Sequence, residues 1–168
     1  MTRPASIEPG SAPGASDWVV REAGEGDVEA VAAAVESLLV ELGGRRPARA
    51  DLEAEARALI GDPREGTLLV AESAGAIVGV LGASWQRAIH VPGRYATIQD
   101  LWVDPARRSD GIGAGLLEAH ARLAREGGAG RIEVGLPRKT FAAIAATEAF
   151  YRANGFEPLG PRMRRLLG

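Results

Sequence analysis

The chain has 168 residues, enough for one domain with a sizeable hydrophobic core, or at most one domain plus a tail. Its formal net charge of −2 gives no electrostatic footprint for nucleic acid. The absence of cysteine excludes disulfide staples, thiolate metal sites and a cysteine nucleophile.

No apolar run approaches the ~20 residues of a membrane span, and no charged-then-apolar leader opens the chain. A cytoplasmic protein that engages neither membrane nor nucleic acid is therefore expected. Residues 1–16, with Pro4, Pro9, Gly10, Pro13 and Gly14 among Ser and Ala, read as a flexible N-terminal tail, leaving 17–168 as the folded domain. Trp18 to Arg21 predicts a short strand. Asp27 is a helix N-cap, and Val28, Val31, Val35, Leu38, Leu39 and Leu42 behind it form one apolar helical face that stops at Gly43-Gly44. After a loop to Ala50, Asp51 opens a short second helix that runs to about Ile60.

Thr67 to Ala71 predicts a buried strand, Ser73-Ala74-Gly75 a hairpin turn, and Ala76 to Trp85 the return strand. Gly79 and Gly82 in that strand mark bulges or a close backbone approach. Tyr95 to Val103 is a third strand of this group, closed by Asp104-Pro105. A glycine-rich segment then enters a long helix carrying Ile112, Leu116, Leu117, His120, Leu123 and Ala124 on one side. Arg131 to Leu136 is a strand, Thr140 to Asn154 a helix stopped by Gly155, and Phe156 to Leu167 a final strand or hairpin interrupted by Pro158, Gly160 and Pro161. The order β-α-α-β-β-β-α-β-α-β predicts an α+β or mixed α/β layout, a single mixed sheet flanked by helices.

The chemistry concentrates in Arg108-Ser109-Asp110-Gly111-Ile112-Gly113-Ala114. Glycines between a strand and a helix let successive N–H groups face outward, and the helix N-terminus favours an anion. A pyrophosphate is the natural guest, with Arg108 adding a charge-assisted contact. A P-loop requires Gly-Lys-[Ser/Thr], whereas this segment continues Gly113-Ala114-Gly115-Leu116. The dinucleotide fingerprint needs another third-glycine spacing and an earlier place in the chain.

Arg108-x-x-Gly111-x-Gly113, preceded by Ile98-Gln99-Asp100-Leu101-Trp102-Val103-Asp104-Pro105 and followed by Phe150-Tyr151-Arg152-Ala153-Asn154-Gly155-Phe156, resembles the GNAT N-acetyltransferase family. The resemblance extends from about Leu68 to Phe156. Ser109 stands where many members have glycine, and Ile144 where many have asparagine. The resemblance implies an acyl-CoA N-acyltransferase fold that moves acetyl from acetyl-CoA to an amine by direct attack in a ternary complex, without a metal. It implies that pantetheine lies where the two central parallel strands splay and pairs with backbone near Leu101, Trp102 and Val103, where an N–H also stabilises the oxyanion.

It further implies Tyr151 as the acid that protonates the departing thiolate. Asp100 is the first candidate base, Glu133 the second, and Gln99 a candidate substrate contact. His120 reads as a half-buried structural residue. His90, in a loop, and Arg45, Arg46 and Arg49, between the first two helices, are candidates to border the acceptor site. The two histidines have no metal-ligand spacing. Many members self-associate, so the resemblance admits a homodimer. The alternative function is a non-catalytic acyl-CoA-binding sensor, which needs the glycine loop but neither Tyr151 nor the strand carboxylate.

Overall fold

The computed structural model describes residues 17–167, so the tail expected at 1–16 lies outside the described residues. Five strands form one mixed sheet in sequence order: β1 (Val19–Glu22), β2 (Gly66–Ser73), β3 (Ala76–Ala88), β4 (Val91–Val103) and β5 (Ala129–Val134). The first four pair antiparallel, and β5 joins β4 in parallel. Helices α1 (Val28–Leu42) and α2 (Arg49–Gly61) cover one face, and α3 (Ile112–Glu126) and α4 (Ile144–Ala153) the other. Alternation along β2 builds both cores: Leu69 and Ala71 join Ile112, Leu116 and Tyr151, while Leu68 and Val70 join Val28, Val31 and Ala56. None of the described helices is long and apolar enough to cross a membrane.

Local chemistry explains most element ends. Gly43, in left-handed geometry at φ 67°, ends α1 while its N–H returns to the helix. Ala74 and Gly75 both have positive φ, the requirement of a two-residue hairpin loop whose twist matches its strands. Gly79 is a close approach: a Cβ there would sit 2.8 Å from Ile112 Cγ2 and 3.0 Å from Leu116 Cδ1, so α3 rests directly on β3.

Several expectations need correction. Asp27 does occupy the N-cap of α1, but its carboxylate accepts from Gly24 N–H (2.8 Å) and pairs with Arg21 (2.7 Å) instead of capping the helix. Asp51 lies inside the first turn of α2, whose N-cap is Ala48. β3 and β4 run on to a tight turn at Ile89-His90, because Ala88 and Val91 still pair. β5 begins two residues earlier than expected and ends at Val134, and Leu136 is exposed. The final strand is not formed: residues 156–167 carry no regular structure. Pro158 and Pro161 lack an N–H donor, and Gly160 sits at φ 127°.

Candidate active site

One feature of β4 shapes the site. Gly82 pairs with Asp100 and Ala83 with Ile98, so Gln99 is an extra residue, a β-bulge. The bulge restores alternation with a shift: Ile98, Leu101 and Val103 all pack on the α3 face, whereas Trp102 packs with the α1–α2 core. The same point ends the pairing with β5, whose last partners are Ile98 and Val134. Beyond it β4 continues to Val103, residues 135–138 carry no regular structure, and an opening lies between the two segments.

A cleft of about 640 Å³ fills this opening. Its walls include Gln99, Leu101, Trp102 and Val103 from β4, Val134 at the end of β5, Gly135 just after it, and Tyr151 from α4. Arg108, Ser109, Gly111, Ile112, Gly113 and Ala114 close one end. Gly111, at φ 81°, is the N-cap of α3, and Ser109 has φ 78°. The first intrahelical bond in this turn runs from Gly115 N–H to Gly111 O, so the N–H groups of Ile112, Gly113 and Ala114 precede the helical ladder. No side chain caps this end and no acidic residue lies in its first turn, so its positive dipole end is left for an anion. A Cβ on Gly113 would come within 3.0 Å of the Phe150 ring and 3.7 Å of Val103. Glycine is what lets the loop, the end of β4 and α4 converge.

Arg108 spans the mouth of the cleft. Its Nη2 donates to both carboxylate oxygens of Glu41 (2.7 and 2.8 Å), and its Nε to the Val103 carbonyl (3.2 Å). Glu41, with Leu38 and Leu42, brings the end of α1 into the lining. Asp110 points elsewhere: its carboxylate binds Arg107 (2.6 Å), and it is absent from the lining.

Tyr151 is buried between Phe150 and Phe156, edge-on to both at 5.2 and 5.3 Å. Burial pushes its phenol up to about 12. Asp100 lies on the α1–α2 side of β4; a Cβ on Gly82 would sit 3.6 Å from its Oδ2. Burial raises its carboxyl above the ordinary value, and among the described residues it makes no ion pair. Glu133 is in register with Thr97 and pairs with Arg131 at 2.6 Å, which itself stacks over Tyr95. Neither carboxylate is among the residues lining the cleft. Gln99 does line it, with its amide donating to Ser84 Oγ (2.9 Å).

His90 is exposed at the β3–β4 turn, away from the lining residues, and Arg49 pairs with Glu36. His120 is fully buried, not half-buried, with Nδ1 3.0 Å from Thr67 Oγ1 and its ring stacked on Trp85. Leu38, Glu41 and Phe141 are wall residues that sequence reasoning did not assign to the site, and Phe150 entered it only as the start of the motif around Tyr151.

The end of the parallel pairing and an uncapped helix N-terminus thus border one cleft, where unpaired backbone N–H groups are left for an anion. Residues 64–158 match the model of the acetyltransferase (GNAT) domain, and the chain belongs to that family. It is accordingly an acetyltransferase that uses acyl-CoA. No curated protein matches it in sequence. Among solved structures it is similar to a putative acetyltransferase from Arthrobacter sp. FB24, with 26% identity, 95% of this chain and 100% of that one covered, and a TM-score of 0.73. Two aminoglycoside acetyltransferases share the fold. The aminoglycoside 6'-N-acetyltransferase AAC(6')-IG of Acinetobacter haemolyticus has 14% identity, 89% and 98% coverage and a TM-score of 0.73. AAC(6')-Iy, solved in complex with CoA, has 16% identity, 94% and 99% coverage and a TM-score of 0.75.

Proposed function

We propose that this enzyme transfers an acetyl group from acetyl-CoA to a primary amine of a small molecule or peptide, by direct attack in a ternary complex. The observation that carries this reading is a single cleft joining the uncapped start of α3, the β4–β5 opening and Tyr151. The N–H groups of Ile112, Gly113 and Ala114 hold the pyrophosphate, aided by Arg108, Ser109 and the turn at Asp110-Gly111. Backbone of Leu101, Trp102 and Val103, freed from β5, pairs with the pantetheine amides. A backbone N–H there also steadies the developing oxyanion.

Asp100, flanked on β4 by the cleft residues Gln99 and Leu101, takes the proton of the attacking ammonium through water. Burial raises its pKa, which suits a base working nearer neutrality. The freed amine adds to the thioester carbonyl, forming the carbon–nitrogen bond. As the oxyanion collapses and the carbon–sulfur bond breaks, Tyr151 gives its proton to the leaving sulfur and regains one from the nitrogen that becomes the amide. Burial raises its phenol further above neutrality. Glu133, engaged by Arg131, is the weaker candidate base. The aminoglycoside-modifying proteins of the same fold make compact polycationic amines the first acceptors to try.

The test is release of free CoA from acetyl-CoA by the purified protein across a panel of aminoglycosides, polyamines and peptides. Acceptor-dependent release supports the reading. Tight acetyl-CoA binding without turnover on any amine would favour the non-catalytic sensor instead.

A further inference from the structure

The anion loop is braced from behind, on the side away from the cleft. Trp18, just before β1, lies against the first turn of α3, and its Nε1 donates to the Asp110 carbonyl (3.3 Å). A Cβ on Gly115 would fall 2.4 Å from Trp18 Cη2 and 2.7 Å from Cζ3. A Cβ on Gly111 would lie 3.9 Å from the same indole. Gly115 is thus a glycine because the indole occupies its side-chain space, not because a phosphate needs its N–H, which is already bonded to Gly111 O.

Next to Trp18, Asp17 accepts from Arg107 Nη2 (2.7 Å) and from Ser73 Oγ (3.3 Å). Arg107 in turn donates to Ser73 Oγ (3.2 Å) and holds the Asp110 carboxylate (2.6 Å). Within four residues the loop carries two positive-φ positions, one of them the non-glycine Ser109. Such backbone persists only where its surroundings hold it.

We propose that Asp17 and Trp18 are positioning residues for acyl-CoA binding: a strap that fixes the Ser109–Gly111 turn so that the N–H groups of α3 present a rigid anion site. The inference rests on the pyrophosphate reading of the loop given above. Neither strap residue lines the cleft, so both act through the loop. A preorganised site binds more tightly because less order is lost on binding.

The test compares acetyl-CoA with S-acetyl-pantetheine, which lacks the pyrophosphate, in wild type, Trp18→Ala, Trp18→Phe and Gly115→Ala, each checked for folding by circular dichroism. The strap predicts that Trp18→Ala and Gly115→Ala raise KM for acetyl-CoA about tenfold with kcat nearly unchanged. Neither variant should alter kcat/KM for S-acetyl-pantetheine, and Trp18→Phe should restore most of the loss. Equal losses on the two donors, or an unchanged KM for acetyl-CoA, would overturn the strap alone. Failure of the wild type to bind acetyl-CoA would overturn the pyrophosphate reading and the strap with it.

Discussion

Acid should unfold this protein through one side chain more than any other. His120 on α3 is fully buried, and burial lowers its imidazole from 6.5 to about 4. The unfolded chain therefore binds a proton below pH 6.5 that the folded chain refuses until about pH 4. Stability contributed by the neutral ring is present above pH 6.5, declines as pH falls through that value, and stops declining near pH 4. At about 1.4 kcal/mol per pH unit the whole window is worth about 3 kcal/mol, of which about 2 kcal/mol is gone by pH 5. Urea unfolding of the wild type and His120→Gln at pH 7.5 and pH 5 isolates this contribution from the carboxylates common to both proteins. The wild type should lose about 2 kcal/mol more than the variant over that interval. If the imidazole of the folded protein titrates near 6.5 by NMR, or the two proteins lose stability in parallel, the reasoning is wrong.

Two further outcomes concern the cleft. Glu41→Gln should tighten acetyl-CoA binding about threefold, because it frees Arg108 and removes a carboxylate from the wall, while costing under about 1 kcal/mol of stability for so exposed a pair; weaker binding by calorimetry would mean that Glu41 orients Arg108 instead. Asp100→Asn should lower kcat/KM on the order of a hundredfold and remove the acid limb of its pH profile, since burial raises the carboxyl it replaces. A retained acid limb would assign the base elsewhere.

What was legible in the sequence follows physical locality. The α3 entry could be read because Gly111 must adopt a positive φ and the apolar period of the helix begins at Ile112. The hairpin at Ala74-Gly75 and the stop at Gly43 are equally local. The bulge at Gln99 left no trace, because a bulged glutamine looks like any strand residue until its partners across β3 are known. The bridge from Glu41 to Arg108 and the seat of Trp18 on Gly115 join residues far apart in sequence, which no spacing encodes. Gly115 was accordingly grouped with the glycine-rich loop, although its missing side chain serves packing behind that loop. The last segment misled in the opposite sense. Phe156 to Leu167 reads as a strand or hairpin, yet its Leu159, Met163, Leu166 and Leu167 are all exposed.

The measurement closest to the central claim is calorimetric titration of acetyl-CoA into the wild type and Gly113→Glu, with folding of both verified. A Cβ at position 113 already meets Phe150 at 3.0 Å, and a carboxylate there brings negative charge to the N–H groups assigned to the pyrophosphate. The account predicts saturable binding by the wild type and none by the folded variant. Unaltered binding by Gly113→Glu would contradict it, and place the cofactor's phosphates somewhere other than the start of α3.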